Sequence, residues 1–201
     1  SDDGYPVMDA SLMRRALKAA AAGGYLISSH CEDANLAGNH AVNEGAVSAQ
    51  LGLPGRPAIA EEIMVARDLM LAEETGAHIH IAHVSTARSV ALIEEAKRRG
   101  VRVTAETCPH YFALTEQDVL RRGAAARVNP PLRTEKDAAA IIAGLQNGVI
   151  DAIATDHAPH TAEEKALPLE QAPSGIPGLE TALAAALTYL YHPGHLPLMT
   201  L

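Results

Sequence analysis

Four short apolar runs, at residues 25–29, 78–82, 101–105 and 151–155, each follow a helical stretch, and every one of those stretches stops at a glycine. The stretches cover residues 10–22, 57–75, 86–99 and 134–146. The first carries Leu12, Met13, Ala16, Leu17 and Ala20 at helical spacing, and the second carries Ile59, Ile63, Ala66, Leu69 and Met70. Glycine takes up the left-handed backbone that closes a helix, so Gly24, Gly76, Gly100 and Gly148 read as stops. The runs are short and rich in Ile, Val or small residues, as strands buried on both faces should be. Helices alternating with such strands predict stacked β/α units around a parallel sheet.

Two segments break the rhythm: residues 31–55, and residues 157–178 after the last strand. Connections this long inside a compact domain usually carry function, and both lie beyond the carboxyl ends of strands, where parallel α/β folds build their sites. The chain begins with Ser1, and SDDG reads as the end of a motif, so a preceding segment is expected.

Three of the four strands run into a metal-capable side chain: ISSHCED gives His30, IHIAHVST gives His83 and DAIATDHAPH gives Asp156. Imidazole and carboxylate suit zinc and similar divalent ions, and ligands far apart in sequence converge when parallel strands carry them to one end of a sheet. One such histidine is more often structural than ligating; three residues in register make the metal reading competitive. His78 and His80 also share a strand face, but they come early in their run, away from its carboxyl end. His40 and His110 read as surface or structural residues, and His192 and His195 as solvent-exposed. Cys31, next to His30, is expected to point to the opposite face as a packed thiol. In RVNPPLR two prolines stiffen the backbone around Asn129, which suits either orientation of a substrate or satisfaction of local backbone groups.

Taken together, HCEDANL, AHVSTARSV, TAETCPHY, NPPLR, ATDHAPHT and APSGIPGLET closely resemble the catalytic half of dihydroorotases of the longer-chain type I family, within the amidohydrolase superfamily. The resemblance runs from SDDG to about Leu190; NPPLR together with DHAPHT is its more specific part. It implies an α/β metal-dependent hydrolase with a (β/α)8 TIM-type barrel, of which residues 1–201 form a partial catalytic domain holding about strands five to eight, the N-terminal strands and their HxH metal pair lying upstream. It implies zinc, one or two ions per site, held by Asp3, His30, His83 and Asp156. Asp156 is also implied as the proton carrier, and Asn129, His160, Ser174 and Gly175 as substrate contacts. Ser174 departs from the larger apolar residue usual after the AP pair, which favours contact through Gly175.

The implied reaction is the reversible cyclisation of N-carbamoyl-L-aspartate to L-dihydroorotate in pyrimidine (UMP) biosynthesis. The partners implied are that small-molecule substrate and, among proteins, a second copy in a homodimer or aspartate transcarbamoylase. Hydantoinases and allantoinases are the nearest alternative; they use a carboxylated lysine where this chain has Asp3, and no lysine precedes Lys18. A noncatalytic dihydroorotase-like subunit supporting aspartate transcarbamoylase is the other; such subunits lose metal ligands that this sequence keeps.

Charge and composition narrow the rest. Sixteen Lys and Arg against 24 Asp and Glu give a net charge of -8, which repels nucleic acid. No apolar run is long enough to span a bilayer. Two cysteines fit a reducing cytoplasm and no disulfide framework.

Overall fold

The computed structural model describes residues 1, 2 and 4–201. Its strands are, in chain order, β1 (Leu26–Ser29), β2 (Val42–Asn43), β3 (Gly55–Arg56), β4 (His78–Ile81), β5 (Val103–Thr107) and β6 (Ala152–Ile153). Strands β1, β4, β5 and β6 form one parallel sheet in that order, with Leu26 opposite His78, Ile79 opposite Val103 and Glu106 opposite Ala152. Each strand lies beside the one before it and the order never reverses. That is the winding of a barrel, whereas a doubly wound sheet turns back at a switch point.

The long helices follow the same succession. Helix Ala10–Gly23 packs on helix Ile59–Thr75, that helix on Ala87–Arg98, and that one on Glu135–Gln146. Their ends are set locally. Asp9 accepts hydrogen bonds from the Ser11 and Leu12 amides, Thr86 caps the third helix, and Thr134 and Asp137 form a reciprocal capping box on the fourth. The main core lies between helices and sheet and includes Leu17, Val65, Leu69, Ile79, Ile81, Ile93, Ala105 and Ile141. Among the described residues no helix is long and apolar enough to cross a membrane.

Two expectations need correcting. The sheet is buried by apolar packing on one face, not both: Ile79 and Ile81 are buried against the helices, while His78, His80, Thr104 and Glu106 point the other way and are half-buried. These four bond one another. His80 Nδ1 lies 2.8 Å from Thr104 Oγ1 and its Nε2 3.1 Å from Glu106, so the HxH pair is engaged in a cross-strand polar chain. The third strand also runs two residues further than residues 101–105, because Thr107 remains in the ladder opposite Ile153.

The segment 31–55 is not an open loop. It holds two short helices, Ala34–Ala37 and Ala46–Leu51, and the parallel pair β2–β3. They enclose a second core in which Val42 and Val47 meet Cys108, Tyr111, Val128 and Leu132. Residues 108–133 thereby form a third excursion, with helices Pro109–Ala113 and Gln117–Arg122, that the strand-and-helix pattern did not mark.

Candidate metal centre and cleft

Parallel register brings the strand ends level. The Ala82 amide donates to the Ser29 carbonyl, the Val84 amide to the Glu106 carbonyl and the Ala154 amide to the Thr107 carbonyl. The residues that follow are His30, His83, Cys108 and Asp156. The end of β1 is fixed from behind, where the fully buried Asp68 accepts hydrogen bonds from Ser29 Oγ at 2.7 Å and Arg67 Nε at 2.8 Å. From the front, the His30 amide donates to Asp2 Oδ1 at 2.8 Å. Cys31 turns away as a buried thiol, as expected, with Sγ 3.6 Å from Asp68.

His30 and His83 meet. Both are buried, and His30 Nδ1 lies 2.8 Å from His83 Nε2, the rings set edge to face. Among the described residues the two non-glycine residues with positive φ are His83 (37°) and Asp156 (46°). A side chain held in that sparse region is strained unless its surroundings demand it, and such positions cluster at functional sites.

Asp156 lies beyond β6 and shares with His30 a cleft of about 680 Å3, whose walls also present Glu32, Arg56, Arg127, Asn129, Ser174 and Gly175. Glu32 is the hub of one wall. Its carboxylate accepts from Arg56 Nη1 at 2.8 Å and Asn129 Nδ2 at 3.2 Å, and lies 3.4 Å from His30 Nε2. Arg56 Nη1 also donates to Asn129 Oδ1. Burial works to raise the Glu32 carboxyl, but the His30 contact and the Arg56 charge outweigh it and hold the group below the usual carboxylate range.

The other wall is segment 157–178, closed by a bridge between His157 and Ile176. His160 Nε2 donates to the Ser174 carbonyl at 2.8 Å and its Nδ1 lies 3.8 Å from Glu164, so the ring holds the turn that carries Ser174 and Gly175. Gly175 has φ +129°, and a Cβ there would come within 2.7 Å of Ala158, so only glycine fits. Its amide donates to the Arg127 carbonyl at 2.9 Å.

Of the residues expected from sequence, His30 and His83 are brought into contact, and Asp156, Asn129, Ser174 and Gly175 line the same cleft as His30. His160 stands behind the Ser174 turn. Asp3 lies outside the described residues. Of the polar neighbours Glu32, Asp33, Ser85 and Thr86, Glu32 reaches an imidazole. Asp33 is spent capping helix Ala34–Ala37, Ser85 donates to Glu61, and Thr86 caps its own helix.

Cys108 and His110 were not foreseen as metal-capable partners. With Asp156 they offer donor atoms within 4.8 Å of one another. Cys108 follows β5 directly, just as His30 follows β1. The strand's unexpected extra length hid that it, too, ends in a metal-capable side chain. His110 is buried, which drives its pKa down to about 3, with the neighbouring His83 adding to the effect; its Nε2 has no hydrogen-bond partner among the described residues. A neutral imidazole keeps a lone pair for a cation.

The donor set therefore fits a divalent ion: two converging buried imidazoles, a further neutral imidazole with an orphaned nitrogen, a thiol and a carboxylate at the carboxyl ends of adjacent strands.

Comparison with known proteins agrees with this geometry. Residues 1–89 match the family described as dihydro-orotase-like. The chain is 59% identical over 194 residues to a dihydroorotase of Pelotomaculum thermopropionicum, covering 96% of this chain and 45% of that protein. It is 55% identical over 201 residues to a dihydroorotase of Acetivibrio thermocellus, covering 100% and 47%. The chain thus spans about half the length of the curated relatives it matches. Among solved structures, L-hydantoinase (dihydropyrimidinase) from Arthrobacter aurescens superposes with a TM-score of 0.85 at 27% identity, covering 100% of this chain and 46% of that one. D-hydantoinase (dihydropyrimidinase) from Thermus sp. gives 0.82 at 27% identity, covering 96% and 44%. Singly wound strands with their polar, metal-capable residues gathered at one end, and this degree of identity over nearly the whole length, lead to one conclusion: the chain belongs to the dihydroorotase-like amidohydrolases, with a TIM-barrel-related fold.

Proposed function

We propose that the protein containing this chain is a zinc-dependent dihydroorotase, which interconverts L-dihydroorotate and N-carbamoyl-L-aspartate in pyrimidine biosynthesis. Residues 1–201 are read as part of a (β/α)8 catalytic domain, supported by the sequential strand order and by relatives about twice as long. The observation that carries the reading is the meeting of His30 and His83 at 2.8 Å, at the ends of neighbouring parallel strands, beside the cleft that Asp156 and Asn129 line.

In this reading His30, His83 and Asp156, with Asp3 by resemblance, would hold the ion. Bound there, zinc would supply an acidified water and a Lewis acid for the carbonyl. Asp156 takes the proton of the attacking water on a carboxylate oxygen and returns it to the departing ring nitrogen, acting as base and then as acid. Asn129 is braced by Arg56 and Glu32, and the second hydrogen of its Nδ2 remains to orient substrate. His160 acts by holding the Ser174–Gly175 turn. In the biosynthetic direction the same groups close the ring with loss of water.

The test is turnover of dihydroorotate by the zinc-loaded full-length protein and its Asp156→Ala variant. Loss of at least about a hundredfold in kcat, with melting behaviour retained, is expected when zinc is supplied to saturation, since Asp156 is read as a ligand as well as the proton carrier. A metal-replete variant with an unchanged rate refutes Asp156 as proton carrier. Hydrolysis of hydantoin in preference to dihydroorotate by the wild type refutes the substrate assignment.

A further inference from the structure

Helix Ile59–Thr75 buries two acids, Glu61 and Asp68, about two turns apart, and each holds the end of a different strand. Asp68 bonds Ser29, the residue before His30, whereas Glu61 bonds the turn that follows His83. Glu61 Oε1 accepts from the Ser85 amide at 3.1 Å and the Thr86 amide at 3.2 Å, and its Oε2 accepts from the Ser85 hydroxyl. That hydroxyl in turn accepts from Arg133 Nε at 3.1 Å, and Arg133 Nη2 lies 3.8 Å from Glu61. Arg133 is fixed from the other side, donating from Nη1 to Asn43 Oδ1 at 2.8 Å and to the Arg56 carbonyl at 3.2 Å. Glu61, Ser85, Arg133 and Asn43 are all buried. A buried carboxylate is costly unless its oxygens are used, and both oxygens of Glu61 are used on residues 85 and 86. His83 needs such a hold: its φ of 37° is one that L side chains rarely adopt, and it persists only where the surroundings demand it.

We propose that Glu61, braced by Arg133, is the positioning residue for His83: by gathering the Ser85 and Thr86 amides it fixes the strained turn and so sets the imidazole against His30, 2.8 Å away. The proposal rests on the reading of His30 and His83 as metal ligands, and it names residues that the sequence motifs did not. Glu61 acts through the backbone. Ligands already held in place give up less freedom when the ion arrives, so loss of the clamp appears as weaker zinc binding.

The experiment compares the full-length wild type with Glu61→Ala, Glu61→Gln, Ser85→Ala and Ile141→Val. Zinc affinity is measured by competition with a chelator, and the imidazoles of the metal-free proteins are followed in histidine-selective NMR spectra. Glu61→Ala should weaken zinc by about tenfold or more and shift the His83 and His30 resonances. Glu61→Gln keeps an acceptor for the two amides and should stay within about threefold of wild type, although stranding Arg133 lowers the urea midpoint. Ser85→Ala keeps the amides but removes the hydroxyl between Glu61 and Arg133, and should fall between. Ile141→Val loosens the core on another helix and should leave zinc affinity and both resonances unchanged. The proposal is overturned if Glu61→Ala binds zinc as tightly as wild type, if Glu61→Gln falls as far as Glu61→Ala, or if Ile141→Val reproduces the loss. Should Glu61→Ala not fold, Ser85→Ala decides, and wild-type affinity with unmoved resonances overturns the proposal. If the wild type binds no zinc, the metal reading is refuted; imidazole resonances that move in Glu61→Ala but not in Glu61→Gln then support the clamp, and unmoved ones overturn it.

Discussion

Glu32 joins His30 to Arg56 along the cleft, and its removal has a calculable cost. Glu32 and Arg56 are each 7% exposed and are joined by a 2.8 Å bond, with Asn129 and His30 on the second carboxylate oxygen. Removing one partner of a buried pair strands the other charge, which costs about 3 to 5 kcal/mol. Glutamine keeps the shape and an acceptor oxygen, so Glu32→Gln should sit at the lower end, about 3 kcal/mol. Arg56→Met leaves Glu32 exposed to the same penalty. The double variant has no stranded charge, so the two losses should fall short of adding by about 2 kcal/mol. Urea unfolding reads this directly: with a slope of about 2 kcal/mol per molar, each single change moves the midpoint down by about 1.5 M. The pH dependence has a definite sign. Glu32 titrates lower in the folded chain than in the unfolded one, so on acidification the unfolded state takes up its proton first. The stabilisation is complete above the unfolded value of about 4.3 and is lost as pH falls through the lower folded value. Glu32→Gln should flatten the acid limb of the stability curve. Single losses below about 1 kcal/mol, with an additive double variant, would refute the pair as a brace of the cleft.

Other consequences are simpler to check. Ile79→Ala opens a hole in the centre of the sheet, where the side chain is fully buried, and should cost about 2 to 5 kcal/mol by chemical unfolding without changing the helical circular dichroism. Thr134→Ala removes half of the capping box on helix Glu135–Gln146 and should cost about 1 kcal/mol, recovered by Thr134→Ser. Both cysteines are buried, and burial followed by the Asp68 charge pushes the Cys31 thiol up, so alkylating reagents at pH 8 should leave the native protein unlabelled and label two thiols in urea.

The alternation of helices with parallel strands and the helix limits were legible in the sequence because they rest on local chemistry. Glycine stops, the Asp9, Thr86 and Thr134 caps and short apolar runs fix elements within a few residues, and the four long helices fall within two residues of where the spacing puts them. The candidate metal residues were legible where strand and side chain coincide, at His30 and His83, because a parallel sheet aligns its carboxyl ends. What tertiary structure alone decided is contact across long sequence distances. Cys108 joins His110 and Asp156 because Thr107 stays in the ladder, a matter of pairing with β6 that no local pattern records. Glu32, Arg56 and Asn129 meet, and Arg127 lines the same cleft, although they are spread over about half the chain, since residues 31–55 fold into a small core against residues 108–132 and carry β3 to the cleft. Strand periodicity repeats every two residues and helical periodicity every three or four, so both are written in neighbours along the chain. The balance of charge in a cleft is set by which distant segments close around it, and that is fixed only when the core packs.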